Sequence, residues 1–132
     1  MVSSPTSTSR TRQTEPVASR IGLVLDCEDP VALAGFWGPA LGYTSLGEHG
    51  SYVVLVEPDD AEPRLLLQRV PEAKAAKNRV HFDVHVPDIE AEAERLAGLG
   101  ATRIDESPLD EFDTRWVRMT DPEGNEFCVC EG

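Results

Sequence analysis

The stretch Arg79-Val80-His81-Phe82-Asp83-Val84-His85-Val86-Pro87-Asp88-Ile89 changes its period halfway along. From residue 79 to residue 86, apolar and polar side chains alternate, the pattern of a half-buried strand. Val80, Phe82, Val84 and Val86 fall on one face, and Arg79, His81, Asp83 and His85 on the other. After Asp88 the spacing turns helical, with Ile89, Ala93, Leu96 and Leu99 on one stripe. Asp88 stands where a carboxylate accepts the orphan N–H groups of a first helical turn. Gly100 stands where a left-handed C-terminal cap is wanted.

The same design occurs earlier, shifted by 59 residues (Asp29 against Asp88). There Leu25-Asp26-Cys27-Glu28-Asp29-Pro30 leads from an alternating strand beginning at Ile21 into a helix with Leu33, Phe36, Trp37, Ala40 and Leu41 on its stripe. Pro30 takes the favoured first helical position, and Gly42 follows the last turn. Each helix is followed by three strand candidates: residues 43–46, 52–56 and 64–70 in the first copy, and 102–105, 115–120 and 126–130 in the second. Turns rich in Gly, Pro and Asp separate them, at residues 47–50, 58–63, 108–114 and 121–124. The expected fold class is α+β, with two βαβββ modules forming a curved, barrel-like mixed sheet around a pocket. Module 1 covers residues 20–70, a linker 71–78, and module 2 residues 79–132. A ferredoxin-like fold uses similar elements, but its repeat lacks the third strand after the helix.

Residues 1–19 are rich in Ser and Thr and nearly devoid of large apolar side chains, so a disordered tail is expected. The 132-residue chain suits one compact domain, because modules this small need each other's surface to bury a core. A formal net charge of −12 argues against nucleic acid or an anionic membrane as partner. No apolar run approaches the length of a membrane span, and the N-terminus lacks an apolar secretory core, so a cytoplasmic location is expected. Cys27, Cys128 and Cys130 are an odd set, and residues two apart on a strand pair poorly, so free thiols are expected.

A sheet face carrying Arg79, His81, Asp83 and His85 reads either as the lining of a polar pocket or as a solvated sheet face. The last strand adds Glu126, Cys128 and Cys130 on one face. Imidazole, thiolate and carboxylate all suit a borderline ion such as zinc. The same cysteines also read as small buried hydrophobes, and His81 as a hydrogen-bond partner of Asp83 or Asn78. Trp116 and Arg118 share a face and can stack on a planar ligand, or simply fill space. The acidic stretches 57–62 and 105–113 read as solvated loops, and at a pocket rim they would favour a cationic ligand.

Asp29-Pro30, Phe36-Trp37, Leu41-Gly42-Tyr43, the run from Lys77 to Val84, Leu99-Gly100-Ala101 and Asp121-Pro122-Glu123-Gly124-Asn125-Glu126-Phe127 together resemble the glyoxalase/bleomycin-resistance/dioxygenase (vicinal oxygen chelate) superfamily, in its glyoxalase-like branch. The resemblance implies a divalent metal (zinc, iron or manganese), or none, held by the first and last strands of each module. It places those positions on Gly22, Gln68, His81 and Cys128. Gly22 offers no donor and Cys128 replaces the usual carboxylate, so methylglyoxal isomerisation is not implied. The resemblance leaves two functions open: a lyase, isomerase or ring-cleaving enzyme, or a protein that sequesters a drug or metabolite. Its site residues would be His81 and Glu126 for catalysis, His81, Gln68 and Cys128 for metal, and Trp116, Arg118, Asp83, His85 and Arg79 for substrate. The expected partner is a small molecule, and a homodimer is the expected assembly.

Overall fold

The computed structural model describes residues 21–111 and 113–132; the tail expected at residues 1–19 lies outside them. The first half runs β1 (Leu23–Cys27), α1 (Pro30–Leu41), β2 (Thr44–His49), β3 (Tyr52–Val56) and β4 (Leu65–Arg69). The second runs β5 (Asp83–Val86), α2 (Ile89–Leu99), β6 (Thr102–Arg103), β7 (Leu109–Glu111), β8 (Thr114–Thr120) and β9 (Glu126–Glu131). Sheet 1 has the order β1-β4-β3-β2 and sheet 2 the order β5-β9-β8-β6, with β7 also pairing to β8. In each half the first and last strands are parallel neighbours and the remaining pairs are antiparallel.

Local chemistry sets the helix ends. Asp29 and Asp88 accept hydrogen bonds from the N–H groups of Ala32 and Ala91, each at 3.1 Å. Gly42 adopts φ +71°, a conformation a β-carbon would strain, and so lets Tyr43 N–H return to the Gly38 carbonyl at 2.8 Å. The α1 stripe of Leu33, Phe36, Trp37 and Ala40 is buried, as are Ile89, Ala93 and Leu96 of α2.

The two sheets do not close into one barrel: β1 and β5 are both edges of their sheets. Side chains join the halves instead. Trp37 packs edge-on against Phe82 and Phe127, with centroids 5.5 and 5.0 Å apart, and Phe36 lies 6.1 Å from Phe127. The Asp-Pro-Glu-Gly-Asn turn reaches across as well. Buried Asp121 accepts the Trp37 indole N–H at 3.0 Å, and Glu123 accepts the N–H groups of Glu28 and Asp29 at 2.8 and 3.0 Å. Arg95 of α2 donates to the Pro39 and Ala40 carbonyls at the end of α1, at 3.2 and 2.9 Å.

Three expectations need correction. The alternating run from Arg79 becomes a strand only at Asp83, and Val80 is 76% exposed rather than core. The reason is Asn78, whose side chain accepts the Glu126 N–H at 3.0 Å and donates to the Glu126 carbonyl at 3.3 Å. It thereby occupies the groups with which residues 79–82 would continue the ladder. Next, the expected turn at 108–114 contains β7, which makes a hairpin with β8 and gives the second half a fourth strand after its helix. Lastly, β2 extends to His49, through an irregularity between Ser45 and Glu48 where Gly47 takes φ +88°.

Candidate functional site

Parallel pairing of β5 with β9 sets Asp83 beside Cys128 and His85 beside Cys130, and pairing of β9 with β8 sets Cys128 beside Arg118 and Cys130 beside Trp116. Partners in a ladder point to the same face. One face of sheet 2 therefore carries Asp83, His85, Glu126, Cys128, Cys130, Trp116 and Arg118. The opposite face carries the core residues Val117, Met119, Phe127 and Val129. Alternation is the whole cause: strands whose every second residue builds a core must present the residues between them elsewhere.

Within this face the potential ligand atoms of His81, Asp83 and Cys128 lie within 4.8 Å of one another. His81 Nε2 is 3.2 Å from Asp83 Oδ1, and both side chains are about half exposed. Cys128 is only 8% exposed. Burial, and then the charge of Asp83, push its thiol up to about 11, so without a metal the sulfur keeps its proton at neutral pH. An imidazole, a carboxylate and a sulfur at this spacing fit a zinc-class ion, which draws on all three donor types; a hard ion such as magnesium would find a single carboxylate where it needs several oxygen ligands.

The remaining residues singled out from the sequence divide. Glu126 is beside the cluster but forms an ion pair with Lys77, which holds its carboxyl below the usual range. His85 is exposed on the same face. Trp116 is half-buried in register with Cys130 and Leu109. Arg79 is exposed on the segment before β5. Gln68 belongs to sheet 1, in register with Asp26 and Tyr52, and is absent from the linings of the two cavities that His81 lines. Gly22 is exposed just ahead of β1.

Sequence reading missed two features. One is Asp105, whose carboxylate takes Arg118 Nε at 3.0 Å, its terminal nitrogen at 2.8 Å and its backbone N–H at 3.0 Å. A carboxylate and a guanidinium thirteen residues apart carry no helical or turn spacing that would flag this pair. Asp105 is thus not a free acidic charge at a rim, and the Arg118 fork is already engaged. The Arg118 hydrogen bonds hold the Asp105 carboxyl below its ordinary range. The resulting stabilisation is present above the unfolded carboxylate pKa and disappears as pH falls through the lower folded value. Urea unfolding should therefore show Asp105→Asn less stable than wild type by up to about 1 kcal/mol near pH 6, the gap narrowing towards about pH 3. A gap that is constant with pH contradicts this.

The other feature is a cleft of about 460 Å³ in the seam between the halves. One wall is apolar, made by Leu23, Leu41, Tyr43 and Leu65 of the first half; the other carries His81, Asp83 and His85. Apolar walls with a few convergent polar groups are the usual make-up of a small-molecule site. The apolar wall left no signal in the sequence because the same residues read as ordinary core.

The family model for the glyoxalase-like domain matches residues 22–130. A search of the curated proteins finds no match. Among solved structures, a glyoxalase/bleomycin resistance protein/dioxygenase from Nocardioides is 19% identical with a TM-score of 0.70, covering 89% of this chain and 85% of its own. A glyoxalase/bleomycin resistance protein/dioxygenase family enzyme from Burkholderia phytofirmans PsJN is 15% identical, with a TM-score of 0.68 and coverages of 83% and 95%. A glyoxalase family protein from Bacillus cereus is 18% identical, with a TM-score of 0.67 and coverages of 92% and 98%. At these identities the structures speak for the fold, and the family model speaks for descent. Among the described residues no helix is long and apolar enough to cross a membrane. With the family model matched over residues 22–130 of a chain whose halves each pair their first and last strands in parallel, the chain belongs to the glyoxalase-like domain family.

Proposed function

We propose that this protein binds a small molecule in the seam cleft, with its apolar body against Leu23, Leu41, Tyr43 and Leu65 and its oxygen end at a divalent metal centre formed by His81, Asp83 and Cys128. The observation that carries the reading is the convergence of those three ligand types within 4.8 Å of one another, with His81 and Asp83 also lining the cleft. When bound, the ion would supply Lewis-acid polarisation of a ligand oxygen. The chain's own residues do the rest. Asp83 Oδ1, 3.2 Å from His81 Nε2, keeps these two donors side by side. The apolar wall excludes water from the ligand body, and Trp116 and Arg118 flank the centre from β8. Glu126, kept ionised by its pair with Lys77, places a negative charge beside the centre.

A thermal-shift series tests this. Zinc, and then iron(II) or manganese, should raise the melting temperature in a concentration-dependent way, since a ligand of the native state stabilises by mass action. A chelating dicarbonyl or catechol-type compound should add a further shift only with the ion present. If no ion moves the transition, the metal reading is wrong. The apolar wall favours a second reading, sequestration of a drug or metabolite without metal, and a compound-induced shift that survives excess chelator selects it.

We also infer a homodimer. Val24, 53% exposed, shares a face of sheet 1 with Leu66 and Val54, an apolar strip open to a partner. Sedimentation showing only monomer at high concentration removes this.

A further inference from the structure

His81 is not a residue of β5, which starts at Asp83, yet its ring reaches Asp83 and Cys128. Packing does not hold it there, since its side chain is 47% exposed and Asp83, its partner at 3.2 Å, is about as exposed. The backbone on either side is tied to β9 instead. After His81, the Phe82 carbonyl accepts the Cys128 N–H at 2.8 Å. Before it, the Asn78 amide donates to the Val80 carbonyl at 2.6 Å and to the Glu126 carbonyl at 3.3 Å, while its oxygen accepts the Glu126 N–H at 3.0 Å. Lys77 pairs with the Glu126 side chain and braces the same anchor. The chain is therefore fastened to residue 126 through Val80 and to residue 128 through Phe82, and His81 is the residue between the two fastenings.

We propose that Asn78 is a positioning residue of the centre: by holding the Val80 carbonyl to the first residue of β9, its carboxamide sets the His81 ring beside Cys128. The inference rests on the reading above that His81 and Cys128 take an ion. Its physical basis is preorganisation. A loop residue that an ion must immobilise loses backbone entropy on binding, whereas one already fastened on both sides has lost it in folding, and the difference appears as affinity. A carboxamide suits the task because it donates and accepts at once, and here it does so to two separate residues. Asn78, His81 and Glu126 also line one small cavity together, which keeps the anchor next to the residue it sets.

Zinc affinity, read on the purified full-length chain by competition with a chromophoric chelator, tests this. Asn78→Ala should weaken zinc by about 10-fold or more, the usual cost of removing a group that holds a metal ligand in place. In a His81→Ala background the same substitution should change the affinity by less than about 2-fold, because a residue that acts through His81 has nothing left to act on. Hydrogen exchange on the metal-free protein should show the Glu126 amide losing protection in Asn78→Ala while the Cys128 amide keeps its own. Asn78→Gln retains the amide but is one methylene longer, so it cannot hold Val80 and Glu126 at the same distances; it should fold as the wild type does and still bind zinc more weakly. If Asn78→Ala lacks a cooperative thermal transition, Asn78→Gln carries the same comparison. Equal zinc affinity in wild type and the folded Asn78 variants overturns the positioning role and leaves the metal reading intact. Equal losses with and without His81 also overturn it, since Asn78 would then act on the fold at large. A wild type that binds no zinc overturns both the metal reading and this inference.

Discussion

Replacing Asp121 with alanine is expected to destabilise the fold by about 3–5 kcal/mol, a large share of the 5–15 kcal/mol that holds a domain of this size together. Asp121 is 3% exposed and accepts from four donors: the Trp37 indole N–H at 3.0 Å, the N–H groups of Glu123 and Asn125 at 2.9 Å each, and the Asn125 side-chain amide at 2.9 and 3.1 Å. A buried donor left without a partner costs about 1–3 kcal/mol, and alanine strands several at once. The loss also propagates. The turn holds Glu123 against the N–H groups of Glu28 and Asp29, so loosening it releases the clamp between the halves. The melting temperature should fall by more than about 12 °C. Asp121→Asn keeps one acceptor oxygen but presents an amide N–H to an indole N–H, so it should cost less than alanine while still losing the Trp37 bond. Chemical unfolding decides the matter: an Asp121→Ala protein within 1 kcal/mol of wild type, to use the scale of a single net hydrogen bond, would show that the turn is not what joins the halves.

For His81→Ala the expected loss is in metal affinity rather than stability. Mutating even an outer-shell partner of a metal ligand typically costs 10- to 100-fold in affinity, so removing the ligand itself should weaken zinc by about 100-fold or more. The side chain is 47% exposed, and surface substitutions of that kind usually stay within about 0.5 kcal/mol. The melting temperature of the metal-free protein should therefore be nearly unchanged, while its rise on adding zinc is lost. His85→Ala, on the same face but outside the three-residue cluster, should keep that rise. Chelator competition on the three proteins side by side gives the answer. Equal affinity in wild type and His81→Ala would refute the centre.

The candidate site was legible in part. Alternation along β5 and β9 put Asp83, His85, Glu126, Cys128 and Cys130 on polar faces from residue numbering alone, because the pleat has a period of two whatever the context. His81 and Cys128 do come together, and Asp83, placed by the sequence among the substrate residues, joins them. Gln68 is not among the residues lining the cavities beside His81, since that depends on how sheet 1 is set against sheet 2. The engagement of Arg118 by Asp105 and of Glu126 by Lys77 changes the charge of the face, and neither pair has a spacing that a sequence reading could detect.

By itself the sequence determined the repeat, the two capped helices and most of the strands, because caps, turn residues and hydrophobic period act over a few neighbouring residues. Only the tertiary structure decided where β5 starts, that 109–111 pairs with β8, that the sheets stay open between β1 and β5, and that an apolar wall faces the histidines. Those outcomes depend on groups far apart in the chain competing for the same hydrogen bonds and the same buried surface. Asn78 capturing the backbone of Glu126 is the plainest case, one amide side chain ending a strand that the alternating pattern would have carried four residues further.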